Sequence, residues 1–307
     1  MAQRSGVVYP RKAAGFPFPA TTGSLAAYWR ITKPTMVMLL VFTGMVGFVV
    51  ASQGTFPART FSFMLLSLAF SCAGANTLTC YLDRDIDAVM QRTRHRPIPA
   101  MKISPGKALI FGVLLVALSI VCAVSLNLLT AVIILAGVIN NVVMYSLWAK
   151  RRTWMNIFIG SIAGGLPALA GYAAYANNLD LRSGLLAGIV IAWIPVHIWS
   201  IAFKHREDYA RAGVPMLPVL VGREKMVRII ALVTILMVAI SLVPAGLALF
   251  GPFYLYGAII LGIIILLLSF WLVYRPTERS AWLVFKASNI YLGLLFLTIL
   301  IEYMISA

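Results

Sequence analysis

Apolar runs of about twenty residues recur along the whole chain, divided by short polar connections. A helix of that length matches the hydrocarbon thickness of a bilayer. The pattern predicts spans near 34–52, 60–82, 108–125, 128–147, 156–175, 184–203, 226–248, 253–274 and 284–304. None of these runs has the ten-residue alternation of a membrane barrel. The expected fold class is therefore all-α, a polytopic membrane protein of about nine transmembrane helices forming one domain over 25–307. Ser24 is placed to cap a short interfacial helix with Leu25, Tyr28 and Trp29 on its apolar face, and Pro34 to open the first span.

Composition agrees, with 61% hydrophobic and 11% charged residues. Charge adds a direction. If residues 1–33 and every second loop share one side, that side holds 23 of the 25 Lys and Arg; only Arg59 and Arg182 fall opposite. The positive-inside rule then makes the N-terminus cytoplasmic and the C-terminus external. The net charge of +16 is a topology signal rather than a nucleic-acid footprint, because the bases are spread over five short segments. Cys72, Cys80 and Cys122 form no CxxC pair, so neither zinc nor a disulfide framework is expected. The first 27 residues lack the apolar core of a signal peptide, and residues 1–24 read as a mobile cytoplasmic tail.

Two cytoplasmic loops are longer than topology requires. One runs from Asp83 to Lys107 and the other from Lys204 to Lys225. Each passes from acidic residues through Arg to a pair of prolines, then to Gly and a base. The two loops are four spans apart. This echo reads as a parallel repeat, two four-helix halves plus one helix.

The first loop carries the chemistry. Asp83, Asp85 and Asp87 are three of only nine acidic residues, and they stand where hydrocarbon meets water. Such carboxylates are costly to keep unless something binds them. On a helix Asp83 and Asp87 share a face and Asp85 points away. A magnesium ion suits an oxygen-only site completed by water and phosphate. Arg92, Arg94 and Arg96 come next, with guanidinium forks that match phosphate oxygens; the alternative is that they serve topology alone. A calcium-hand reading fails, because the sixth position is Ala88 instead of Gly and the twelfth is Arg94 instead of Glu.

The stretch CYLDRDIDAVMQRTRHRPIP resembles the first aspartate-rich motif of the UbiA superfamily of intramembrane prenyltransferases, and more narrowly its heme-farnesylating branch. TKPTMVMLL at 32–40, YSLWAKRRTWMNIFIGSIAGGLPALAGY at 145–172 and PVHIWSIAFKHREDYARAGVPMLP at 195–218 extend the resemblance over nearly everything after residue 25. It implies nine helices around a large cavity open to lipid, in a plasma or inner membrane. It implies transfer of the farnesyl group of farnesyl diphosphate to a vinyl group of heme B, with Mg2+ assisting the diphosphate. A downstream heme-modifying enzyme is then a possible partner. One departure is visible: where the superfamily often has Asn four residues before the first Asp, this chain has Thr79. The Thr79 hydroxyl, or Asp83 and Asp87 alone, would then serve the metal.

For that reaction the cation carriers are Arg92 and Arg96, with Lys33, Lys204 and Lys150 as further candidates. Tyr145, Trp148, Trp199 and Tyr209 offer aromatic faces to a developing allylic cation. His197 is a candidate heme contact or a core histidine; His205 is a candidate substrate contact or a solvated span end. Lys204 and Asp208 are four apart, which on a continuous helix makes an ion pair; the functional reading has them close the diphosphate site. Asn140 and Asn156 read as interhelical bonds, and Gly160 with Gly164 as a packing pair. A quinone-precursor acceptor is the nearest alternative. A proton-coupled carrier is the other, disfavoured because the acids lie at span ends rather than mid-membrane.

Overall fold

The computed structural model describes residues 24–306, so the tail expected over 1–24 lies, except for Ser24, outside the described residues. Among the described residues nine helices are long and apolar enough to cross a membrane. A short helix α1 (Leu25–Ile31) leads into α2 (Pro34–Ser52) and α3 (Ala58–Leu82). The first long loop holds α4 (Arg84–Val89), followed by α5 (Pro105–Val124). The fourth span is a composite rod: α6 (Leu128–Ile139), a π-helical stretch (Asn140–Ala149) and a last turn α7 (Lys150–Arg152). Then come α8 (Asn156–Ala176) and α9 (Leu181–Lys204). The second long loop holds α10 (Arg206–Arg211) and α11 (Leu217–Leu220), and α12 (Arg223–Gly246), α13 (Pro252–Tyr274) and α14 (Glu278–Ser306) complete the chain.

The expected spans fall on these helices within a few residues, except that the fourth runs on to Arg152 and the ninth begins earlier, at Glu278. Pro34 opens α2 as expected, but Ser24 makes no side-chain cap; its carbonyl instead accepts from the amides of Ala27 and Tyr28. Ala27 and Ile31 are the buried face of α1, while Leu25 and Trp29 are exposed and Tyr28 packs edge-on against Phe111 at 5.0 Å.

Helices α8 and α9 are the most enclosed spans, whereas α5 and α13 turn rows of large apolar side chains outward, Ile110, Leu114 and Val121 on one, Ile260, Ile263 and Leu267 on the other. In lipid, apolarity alone does not pull helices together, so close packing must. Helices α2 and α8 meet backbone to backbone. A Cβ added at Gly171 would stand 1.8 Å from the Gly44 carbonyl oxygen, so no side chain fits there.

The neighbour order α2–α3–α5–α6 recurs as α8–α9–α12–α13, while α14 packs against α9, α13 and α2. The loops recur as well. Helix α3 breaks at Asp83 (φ −90°, ψ 8°) and α9 at His205 (φ −106°, ψ 28°), and each break is followed by a six-residue helix.

Candidate active site

Asp83 and Asp87 are buried at the charged end of α3, while Asp85 between them is exposed. The break at Asp83 keeps their helical spacing, because the Asp87 amide still donates to the Asp83 carbonyl at 2.8 Å. Each carboxylate draws a base, one from another span and one from its own loop. Lys150 Nζ donates to Asp83 Oδ2 at 2.6 Å, across 67 residues of chain. Arg96 Nη1 donates to both oxygens of Asp87, at 2.9 and 2.8 Å. The second oxygen of Asp83, Oδ1, is buried without a partner among the described residues. That leaves one carboxylate oxygen free to accept a cation or a donor.

Arg151 forks onto Asp85 with two bonds of 2.7 Å and donates to the Leu82 carbonyl at 2.8 Å. Burial alone would raise the Asp85 carboxyl, but the Arg151 bonds and charge outweigh it and hold the group below its ordinary value. Asp85 thus ties the end of α3 to α7. The Lys150–Arg151–Arg152 run, read for topology, also anchors two of the three aspartates; its place on the same side as the aspartates was the available signal.

The π-helical stretch sets the register of this corner. Its wider turn rotates the remainder of the rod about its axis, and such stretches often mark functional sites. Asn140 opens it and accepts from the Ala163 amide at 3.2 Å, an interhelical bond as expected. Tyr145 lies within it, against the bare surface of Gly160, with Lys150 Nζ 5.9 Å from its ring centre. Gly160 and Gly164 serve packing, the latter against Ile194. Trp148 is exposed on the outer face of the rod.

Thr79 sits one turn before Asp83, but its hydroxyl is engaged. It donates to the Asn76 carbonyl at 2.9 Å and accepts from Lys33 Nζ at 3.5 Å. The Asn76 side chain is likewise engaged, on the Thr32 carbonyl. Lys33 is held in the left-handed region (φ 55°, ψ 63°), a strained backbone for a lysine, and burial lowers its pKa, with Arg96 and Lys150 adding to the effect. Thr79 therefore positions Lys33 beside the carboxylates.

The second loop meets the first. Asp208 is buried and accepts from the backbone amides of Gln91 and Arg92, both at 3.2 Å, and from Arg211. Burial opposes its charge, yet these donors win and lower its pKa. Arg92 Nη2 donates to the Tyr209 hydroxyl at 3.4 Å. The Lys204–Asp208 ion pair expected on a continuous helix does not form, because α9 ends at Lys204 and the chain turns at His205. Lys204 instead lies over the Trp282 ring, its Nζ 4.1 Å from the centroid. His205 has its pKa lowered by burial and by the charges of Arg92 and Lys204.

His197 and Trp199 stand apart from the charged cluster. The His197 ring is layered between Trp193 and Phe285, each centroid 4.5 Å away, and its Nδ1 pairs with Ser288 Oγ at 3.0 Å. Both ring faces are thus covered by protein. Trp199 is fully buried, edge-on to Phe158 at 5.2 Å. An apolar groove of about 1140 Å³ lies between α1, α2, α3 and α5; Lys107 is its one charged lining residue among the described residues. Asp83 and Asp87 do not line that groove.

Among the described residues no three His, Cys, Asp or Glu side chains converge as a ready metal cage. A cation here would therefore share Asp83 and Asp87 with oxygens of a ligand or water, which is how magnesium is usually held beside phosphates. The unpartnered Asp83 Oδ1 fits that donor set.

The UbiA prenyltransferase family matches residues 40–297. A curated protoheme IX farnesyltransferase of Desulforudis audaxviator is 42% identical over 287 residues, 92% of this chain and 90% of that protein. Protoheme IX farnesyltransferase 2 of Cenarchaeum symbiosum is 39% identical, covering 91% of this chain and 96% of its own length. Among solved structures, a digeranylgeranylglyceryl phosphate synthase superposes with a TM-score of 0.75 at 21% identity, over 91% of this chain and 98% of that one. A UbiA homologue from Archaeoglobus fulgidus bound to DMAPP and Mg2+ superposes with a TM-score of 0.66 at 18% identity, over 91% and 99%. With nine spans among the described residues, a paired-aspartate corner and a family match over most of its length, this chain belongs to the UbiA prenyltransferase family.

Proposed function

We propose that this protein joins the farnesyl group of farnesyl diphosphate to a vinyl group of heme B, giving heme O and diphosphate in a plasma or inner membrane. The allylic C–O bond breaks, a C–C bond forms to the vinyl carbon, and water supplies the new hydroxyl and releases a proton. The observation that carries the chemistry is the pair of buried carboxylates, each matched with a base. The acceptor rests on the relatives named for protoheme IX over about nine-tenths of this chain.

The difficult step separates charge: negative on the leaving diphosphate, positive on the farnesyl carbon. A divalent cation held by Asp83 and Asp87 would neutralise part of the leaving-group charge. Lys150 and Arg96 hold the same carboxylates in this structure and lie within reach of any diphosphate placed on them. Lys33, kept near Thr79, and Lys204, whose ammonium rests on an aromatic ring rather than a carboxylate, supply further positive charge. The Tyr145 ring, next to Lys150, is the aromatic face best sited for the allylic cation. Low dielectric around these groups strengthens each interaction, and restricted water limits premature capture of the cation. His197, layered between two rings, serves best as a wall of the apolar interior.

The test incubates membranes containing the protein with farnesyl diphosphate and either heme B or a hydroxybenzoate, followed by mass analysis of the product. Heme O formation, lost on chelation of divalent metal and restored by Mg2+, is the expected result. Farnesylation of the hydroxybenzoate and not of heme would overturn the acceptor assignment.

A further inference from the structure

Asn156 opens α8 and is fully buried, yet neither its amide nitrogen nor its amide oxygen has a hydrogen-bond partner among the described residues. Asn140, only half-buried, does form an interhelical bond, to the Ala163 amide. Leaving a buried carboxamide unpaired is destabilising, because the desolvation of its donor and acceptor is not offset by any bond. Nothing in the packing of the helix ends requires a carboxamide there, because the Asn156 backbone amide is already paired with the Thr153 carbonyl at 3.3 Å.

Its place in the fold gives it a use. Asn156 and Gly160 are one turn apart on the same face of α8. Gly160 carries the Tyr145 ring, and Tyr145 neighbours Lys150, the base on Asp83. Asn156 is thus one turn nearer the charged end than the Tyr145 contact. Among the described residues Asp83 Oδ1, Ser146 Oγ (next to Tyr145 in the chain), Trp199 Nε1 and Thr130 Oγ1 are also buried without a partner. An amide N–H kept dry and unpaired is a donor waiting for a strong acceptor, and phosphate oxygens are such acceptors.

We propose that Asn156 binds the diphosphate of the prenyl donor, its side-chain amide donating to a phosphate oxygen. This rests on the prenyl-transfer reading above. The cost of the unpaired amide is then carried by the free protein and relieved when donor binds.

The experiment uses the full-length protein in lipid nanodiscs, with farnesyl diphosphate and inorganic diphosphate as probes. Asn156→Ala is expected to raise KM for farnesyl diphosphate by about 10- to 100-fold, as for loss of a hydrogen bond to a charged group. KM for heme B stays unchanged, and inhibition by inorganic diphosphate weakens in parallel. Without ligand, the unfolding midpoint of Asn156→Ala is equal to or above that of the parent, because no native bond is lost. Asn156→Asp preserves shape if the alanine variant fails to fold, and its added negative charge should weaken diphosphate binding at least as much. Unchanged KM for farnesyl diphosphate and unchanged diphosphate inhibition in whichever variant folds would overturn the proposal and leave Asn156 as a structural amide. If the parent protein itself binds no farnesyl diphosphate, the prenyl-transfer reading fails first, which separates the two outcomes.

Discussion

After α3 the helix breaks at Asp83 and resumes for six residues; after α9 it breaks at His205 and does the same. The two loops nevertheless use their acids differently. In the first, Asp83 and Asp87 are buried and paired with long side chains that can move to another anion. In the second, Asp208 is buried and accepts two backbone amides of the first loop, which cannot move without unfolding it. The carboxylates of the first loop can therefore exchange partners, while Asp208 of the second holds the first loop's backbone. A repeated sequence pattern sets a repeated backbone, and the partners each side chain meets decide its work.

The sharpest way to break this distinction is substitution of the paired aspartates. Asp83→Asn and Asp87→Asn should each lower heme O formation by more than about 100-fold with the protein still folded. Asp85→Asn, which frees only an exposed tie to Arg151, should keep at least about half of the activity. Wild-type rates in Asp83→Asn, measured by heme mass analysis, would remove the first loop from the chemistry.

A smaller effect is expected at Lys204, the cation that the second loop contributes. Lys204→Met should raise KM for farnesyl diphosphate about tenfold if the ammonium meets a phosphate. Trp282→Leu removes the ring beneath it, which also stacks on Phe285, and should change KM less than about threefold. Equal effects from both would make the Lys204–Trp282 contact structural.

The hold of Asp208 on the first loop should appear in stability more than in rate. Asp208→Asn should lower the unfolding midpoint by about 2–8 °C while retaining measurable turnover. Because the Asp208 carboxyl is held below its ordinary value, its contribution is full above about pH 4 and is lost as pH falls through the lowered value. The gap in midpoint between the parent and Asp208→Asn should thus be constant from about pH 7 to 5 and close at lower pH. A gap that persists in strong acid would mean the carboxylate charge is not what braces the loop.

Much of the fold is legible in apolar run length. A twenty-residue apolar run has few ways to satisfy its backbone in a bilayer other than a helix. The exceptions have local causes. Hydropathy ends the fourth span at 147, because the π-helical stretch and the basic turn after it leave no mark in apolar run length. The site is legible as far as spacing reaches: Asp83 and Asp87 inward, Asp85 outward. Spacing also predicts a Lys204–Asp208 pair that does not form, because one turn residue, His205, breaks the helix on which four-residue spacing depends. Thr79 and His197 cannot be assigned from residue type alone; their neighbours Lys33, Trp193, Phe285 and Ser288 lie on other turns or other helices.

The chain by itself determined nine membrane helices, the charge asymmetry across them and an acidic corner suited to diphosphate, since these arise from local composition and helical period. Tertiary structure alone decided which base each aspartate meets, that the second loop caps the first, and that Asn156 is left unpaired. Those are contacts between residues as far apart as Gln91 and Asp208, and no local preference encodes them; they exist only once the helices have packed and excluded other partners.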